Sequence, residues 1–270
     1  MIIENKTVLI TGANRGIGRA LVEEALNRGA KRVYAGTRRP LTHPDARVTP
    51  LTLDVTSAAQ IRAAAESVGC LDILINNAGL GLYADFSDRA ALERHLAVNL
   101  FGPYDITHAF LPRLIDSRGA IVNVLSLAAL AAVPLDPTYA MSKAAAFSLT
   151  QSLRAACARH GVSVFAVLAG PVDTDMGPQI DIPKASPESV AQAILDAVAN
   201  RDEDIFPDPL SDSIADGWSN GVSNALEQQF ASLVEAEPLR GVGQRYDQGV
   251  SRARAADDAD RLEVREAQIR

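Results

Sequence analysis

The sequence predicts a doubly wound α/β domain, a parallel sheet of about seven strands with helices on both faces. Three observations carry this. Short apolar runs without polar alternation recur along the chain, as in strands buried on both faces. Between them lie stretches with helical patterning and cap residues. The first strand also runs straight into a glycine-rich turn and a helix, which puts a ligand at the carboxyl ends of the strands.

Thr7 to Thr11 (TVLIT) reads as the first strand, and a helix from about Ile17 to Arg28 ends at Gly29, a C-cap residue. Arg32 to Thr37 and Val48 to Leu53 are the second and third strands. Helix 57–68 precedes strand Asp72 to Asn76. A long helical stretch covers 88–116, in which Pro103 and Pro112 are expected to bend or break the helix. Gly119 to Leu125 is the fifth strand, helix 138–159 stops at Gly161, and Val162 to Leu168 is the sixth strand. Ser186-Pro187-Glu188 has the order of an N-cap followed by proline at the first helical position. Ile205 and Phe206 supply a short last strand.

Residues 1–237 form one domain in this reading. Within it, 208–235 is either a helical cap over the site, through Trp218 and Phe230, or a segment packed on another subunit. Residues 238–270 are polar, and are read as a weakly ordered tail or a subunit arm.

Composition narrows the function. With 47% apolar and 22% charged residues the chain can bury an ordinary core. A net charge of -7 gives no footprint for nucleic acid, and no polybasic run suits a membrane surface. Cys70 and Cys157 make no disulfide framework, and His43, His95, His108 and His160 lack ligand spacing, so no metal is expected. There is no leader-like start and no unbroken apolar run of about 18 residues, so a cytoplasmic location is the default expectation.

Thr11-Gly12-Ala13-Asn14-Arg15-Gly16-Ile17-Gly18 is the feature that carries chemistry. Glycines there let backbone approach a pyrophosphate, and the helix start offers free N–H groups and a positive dipole end. The spacing TGxxxGxG departs from GxGxxG. Tyr139 and Lys143 lie four apart on one helix, so they share a face, where an ammonium would favour a phenolate and lower its pKa. Alone, such a pair is common on helix surfaces.

Taken with Asp54-Val55, Asn76-Asn77-Ala78-Gly79, Asn99, Ser126, Tyr139-Ala140-Met141-Ser142-Lys143 and Gly170-Pro171-Val172-Asp173-Thr174, the chain resembles the short-chain dehydrogenases/reductases over about residues 5–207. The resemblance implies a Rossmann-type sheet and a tetrad of Asn99, Ser126, Tyr139 and Lys143. In it Tyr139 is the acid/base, Ser126 bonds the same substrate oxygen, and Asn99 bends its helix and holds a relay water. Cofactor contacts fall on Gly12, Asn14, Arg15, Gly16, Ile17, Gly18, Thr37, Arg38, Asp54, Val55, Asn77, Ala78, Gly79, Tyr139, Lys143, Gly170, Val172 and Thr174. Asp54 would accept from the adenine amino group, and Lys143 would also bond the nicotinamide ribose.

Thr37 stands where family members preferring NAD carry an acid, while Arg38 and Arg15 can clamp a 2′-phosphate, so NADP(H) is favoured over NAD(H). Ala169-Gly170 replaces the family's Pro-Gly, which should loosen that turn slightly. Ser142 reads as a small helix residue near the cofactor, and His160 as a cation suiting a helix end. The resulting expectation is a carbonyl reductase or alcohol dehydrogenase, working as a homodimer or homotetramer. Segments 81–83, 127–135 and 176–183 should line an apolar substrate pocket without Arg or Lys, which suits a small neutral ketone, aldehyde or alcohol. Two alternatives share the fold: a lyase resembling halohydrin dehalogenases, which have Arg in place of the lysine, and a non-enzymatic NADP sensor. Lys143 and the complete tetrad argue against both.

Overall fold

The structure is a computed structural model that describes residues 2–176 and 183–232. Seven parallel strands form one sheet: β1 (Thr7–Thr11), β2 (Arg32–Thr37), β3 (Val48–Thr52), β4 (Ile73–Asn76), β5 (Ala120–Val124), β6 (Ser163–Val167) and β7 (Asp204–Ile205). Their order is β3-β2-β1-β4-β5-β6-β7, so the winding reverses between β1 and β4. That is the Rossmann-type arrangement, whose ligand crevice opens at the switch point.

Period-2 alternation explains why the strands read as unbroken apolar runs. Leu9, Leu74, Ile121 and Val164 are in register and face one core. Ile10, Ile75, Val122 and Phe165, the next row, face the other. The first core is closed by α2 (Ala58–Ser67), α4 (Gly102–Ser117) and the end of α5 (Pro137–Cys157), the second by α1 (Gly16–Asn27) and α6 (Pro187–Asn200). Each buried leucine or isoleucine removed from water on both faces contributes about 1.5–3 kcal/mol.

The helix ends follow the sequence signals. Ser186 Oγ accepts from Ser189 N at 3.1 Å with Pro187 at the first turn of α6. Gly161, φ 72°, terminates the 3₁₀ turn Ala158–His160 that extends α5. The long stretch over 88–116 behaves differently from the expectation. Helix α3 (Arg89–Leu96) passes into a π-helical segment, Ala97–Phe101, and then into α4. Pro103 sits in the first turn of α4, where a missing N–H costs little, and Pro112 is carried inside the helix. The irregularity is therefore the π turn around Asn99, not a proline.

Segment 208–232 is helical, forming α7 (Pro209–Ser219) and α8 (Val222–Ser232). Trp218 does not cap the site: it packs edge-on against Phe147, centroids 5.6 Å apart, and donates from Nε1 to Asp204 Oδ2 at 2.7 Å. Phe230 is exposed. Arg154 of α5 ties α8 down, its guanidinium meeting Glu227 and Asp204. The tail 238–270 lies outside the described residues. Among the described residues, no helix is long and apolar enough to cross a membrane.

Candidate active site

One cavity of about 1040 Å³ opens at the carboxyl end of the sheet and is lined by every expected site residue except Asn99. Its floor is the β1–α1 turn bolted to the β4 loop. Thr11 Oγ1 accepts from Asn77 N and Ala78 N, both at 3.0 Å, while Asn77 Nδ2 donates to Thr11 O and Gly12 O. This close approach needs the glycines. A Cβ on Gly12 (φ 67°) would stand 2.9 Å from Ala78 Cα, and one on Gly18 only 2.2 Å from Gly12 O. At the start of α1 no side chain caps the free N–H groups, which leaves them for an anion. Gly18→Ala should therefore destabilise the fold by about 1–3 kcal/mol and abolish nucleotide binding. Thermal melting and a nucleotide titration check this; an alanine variant that binds like wild type would mean the turn is no cradle.

The corner at the end of β2 is cationic. Thr37 is buried and its Oγ1 donates to Arg39 O at 2.5 Å, while exposed Arg38 lines the cavity beside Asp54. Burial works to raise the Asp54 carboxyl, but bonds from Thr56 N and Oγ1 and the charge of Arg38 outweigh it and hold it below the ordinary range. Arg15 pairs with Asp175 at 2.9 Å, both well exposed.

Ser126, Tyr139 and Lys143 meet in the cavity wall. Lys143 is buried and donates to Val124 O at 2.9 Å, its Nζ 5.7 Å from the Tyr139 ring centroid. The phenol departs from the sequence expectation. Burial pushes Tyr139 up to about 12, against a weaker opposing effect of the Ser126 hydroxyl, and pushes Lys143 down to about 8. Removing both groups from water outweighs any help the ammonium gives a phenolate. Tyr139 keeps part of its surface open to the cavity, so water there softens the push. Asn99 stands behind the wall: its Oδ1 accepts from Leu80 N at 2.8 Å, and its Nδ2 donates to Leu80 O and Ser142 Oγ, each at 2.9 Å. Ser142, read from the sequence as a small helix residue, is a buried link that donates in turn to Tyr139 O at 2.7 Å.

Four residues of the site escaped the sequence reading. Asp208, the N-cap of α7, accepts from Gly170 N at 2.7 Å and so ties down from outside the turn that lacks its proline. Exposed Arg94 of α3 joins the lining, so the cavity has a cation beyond the expected segments. His95 and Asp136 are buried among loop amides. Asp136 and Asp208 carry a local signal, an aspartate N-cap before a proline, but their bonds to Tyr83 and Gly170, like that of His95 to Thr138, join distant parts of the chain.

A nucleotide cradle and a Ser–Tyr–Lys wall in one Rossmann crevice define the chain as a member of the dehydrogenase class of α/β proteins. Residues 6–184 match the sequence model of the short chain dehydrogenase family. The chain is 39% identical over 185 residues to short-chain dehydrogenase PC-15 of Penicillium crustosum, covering 64% of this chain and 68% of that one. It is 34% identical to 2-(S)-hydroxypropyl-CoM dehydrogenase 3 of Xanthobacter autotrophicus, over 71% and 82% of the two chains. A crystal structure of a short chain dehydrogenase from Burkholderia cenocepacia in complex with NADP superposes with a TM-score of 0.78 at 36% identity, covering 85% of this chain and 98% of that one. The chain belongs to the short-chain dehydrogenase family of oxidoreductases.

Proposed function

We propose that the chain is an NADP(H)-dependent carbonyl reductase or alcohol dehydrogenase acting on a small, neutral, apolar substrate. The observation that carries this is the convergence of Ser126, Tyr139 and Lys143 with the uncapped start of α1 in one cavity. The residues fit the cofactor: a tight glycine cradle suits a pyrophosphate, and Arg38 with Arg15 suits a 2′-phosphate. The NADP complex of the Burkholderia relative supports the same choice. When bound, NADPH supplies the hydride.

The chain's own residues handle the oxygen. Ser126 Oγ and Tyr139 Oη both bond the substrate carbonyl, polarising it. As hydride reaches the carbon, Tyr139 Oη gives its proton to the oxygen, and the product is an alcohol. A phenol held protonated by burial is already in the form this direction needs. Lys143 would bond the nicotinamide ribose with donors not used by Val124 O. Leu127, Val133, Leu135 and Met176 give an apolar wall, while Arg94 makes an anionic tail the main competing substrate feature.

A panel of ketones and aldehydes with NADPH, followed at 340 nm, tests the reading, and matched neutral and carboxylate-bearing ketones test Arg94. Absence of turnover with intact NADPH binding would favour a sensor; nucleotide-independent elimination would favour a lyase. We further propose a homodimer or homotetramer, consistent with exposed Phe101 at the end of the π-helical segment, Tyr104 on α4 and Met141 on α5. Light scattering should give at least twice 28.6 kDa, and a monomer at micromolar concentration would refute it.

A further inference from the structure

We propose that His95 is a positioning residue for this reaction: it clamps the Leu82–Tyr83 segment to the amino end of α5 and so sets the cavity wall beside Tyr139. The inference rests on the reductase reading above.

His95 is fully buried on α3. Its Nε2 lies 3.1 Å from Leu82 N, and a backbone N–H can only donate, so Nε2 carries no proton. The ring proton of the neutral imidazole is then on Nδ1, which donates to Thr138 Oγ1 at 3.0 Å. Thr138 faces Asp136, whose Oδ1 is 3.4 Å from Thr138 Oγ1 and also accepts from Tyr139 N at 3.3 Å as the N-cap of α5. The other oxygen, Oδ2, accepts from Tyr83 N at 3.0 Å. Two consecutive loop amides are thus held by one polar chain that ends on the helix carrying Tyr139 and Lys143.

The loop needs such a clamp. Tyr83 has φ 51°, a left-handed conformation that a bulky residue adopts at a cost in energy. Its hydroxyl donates to Met176 O at 3.1 Å, extending the tie across the cavity to the β6 loop. Gly81, just before the clamp, lies close against the Tyr139 ring and Met176. The imidazole itself packs edge-on against the Tyr139 ring, centroids 5.9 Å apart.

Only the neutral imidazole can do this. Protonation would aim an Nε2–H at the Leu82 N–H and break the hold. The charged groups facing the ring are Asp136, which favours the cation, and Arg94 and Lys143, which oppose it; burial opposes it most and keeps the ring neutral below its ordinary range. The clamp should let go only in acid.

The test compares His95→Leu with His95→Gln, whose amide oxygen can still accept from Leu82 N–H. In wild type, nitrogen-15 spectra should show Nδ1 protonated and Nε2 bare. Amide exchange at Leu82 and Tyr83 should quicken about ten-fold or more in the leucine variant and recover in the glutamine variant, with β1 amides unchanged. The substrate KM should rise about ten-fold in His95→Leu while NADPH affinity stays within about two-fold, and the glutamine variant should recover most of kcat/KM. Wild type should show an acid limb in kcat/KM that the glutamine variant lacks. The opposite tautomer, unchanged Leu82 and Tyr83 exchange, or equal losses in NADPH and substrate binding would overturn the proposal. Should His95→Leu not fold, Thr138→Val removes the Nδ1 partner and must show the same local exchange and KM pattern at smaller size. If wild type reduces nothing in the panel, the reductase reading fails, while tautomer and exchange still decide whether His95 holds the loop.

Discussion

Tyr139→Phe is expected to lower kcat for carbonyl reduction by about 10²–10⁴-fold, the range a positioned proton donor supplies. NADPH affinity should stay within a few-fold, because the ring remains and only Oη is lost. Lys143→Ala should damage both turnover and cofactor binding, since this buried ammonium is anchored on Val124 O and faces the same cavity. The pH dependence follows from the direction of the Tyr139 shift. Burial raises the phenol to about 12, so the proton-donating form persists through neutral and mildly alkaline pH. The rate of reduction should therefore be flat there, and alcohol oxidation, which needs the phenolate, should climb steadily with pH. Stopped-flow rates for both directions with wild type and Tyr139→Phe check this. Near-normal turnover in the phenylalanine variant would remove the assigned proton donor. A reduction rate that already falls between pH 7 and 8 would show that the bound state lowers the phenol in the way the i,i+4 ammonium first suggested.

That reversal of the phenol shift shows where sequence reasoning stops. The strands were legible because a sheet covered on both faces makes most central-strand positions apolar, and the row Leu9–Leu74–Ile121–Val164 is as hydrophobic as its neighbour. The glycine cradle was legible because steric exclusion at Gly12 and Gly18 dictates residue type. Spacing also put Tyr139 and Lys143 on one face, but not the degree of burial, and burial decides the sign of both shifts. The π turn at Asn99 has no mark in the helical period; only the resemblance pointed to a bend there, and Asn99 bonds Leu80 and Ser142, 19 and 43 residues away. Asp208 and Gly170 are 38 apart, His95 and Thr138 43 apart. Contacts closed by the fold across such distances have no periodicity to betray them. Trp218 misled for a related reason: a lone large aromatic in a polar helix suits a lid and a packing anchor equally until its partners, Phe147 and Asp204, are known.

Replacing Thr37 by Asp together with Arg38 by Leu should reverse the cofactor preference, and the size of the effect rests on charge. In wild type, Arg38 faces the cavity within the electrostatic reach of Asp54, while Arg15 is already paired with Asp175 and must leave it to reach a phosphate. Both guanidinium groups are exposed, so each contact is screened, and the NADPH preference should be about ten-fold rather than a hundred-fold at low salt. It should shrink further as salt rises. In the double variant the attraction for a 2′-phosphate is gone, and a carboxylate at the end of β2 accepts from ribose hydroxyls while repelling the phosphate, so discrimination gains a rejecting element. Thr37 is buried and turned onto Arg39 O, so the new carboxylate must face the cavity to stay solvated, which the lining position allows. Asp175→Asn supplies the control: freeing Arg15 from its partner should raise NADPH affinity by a few-fold and leave NADH unchanged. The measurement is kcat/KM for both cofactors in the three proteins at low and high salt. A wild type that uses NADH better, or a double variant that still prefers NADPH, would place the adenosine ribose elsewhere than beside Thr37 and Arg38.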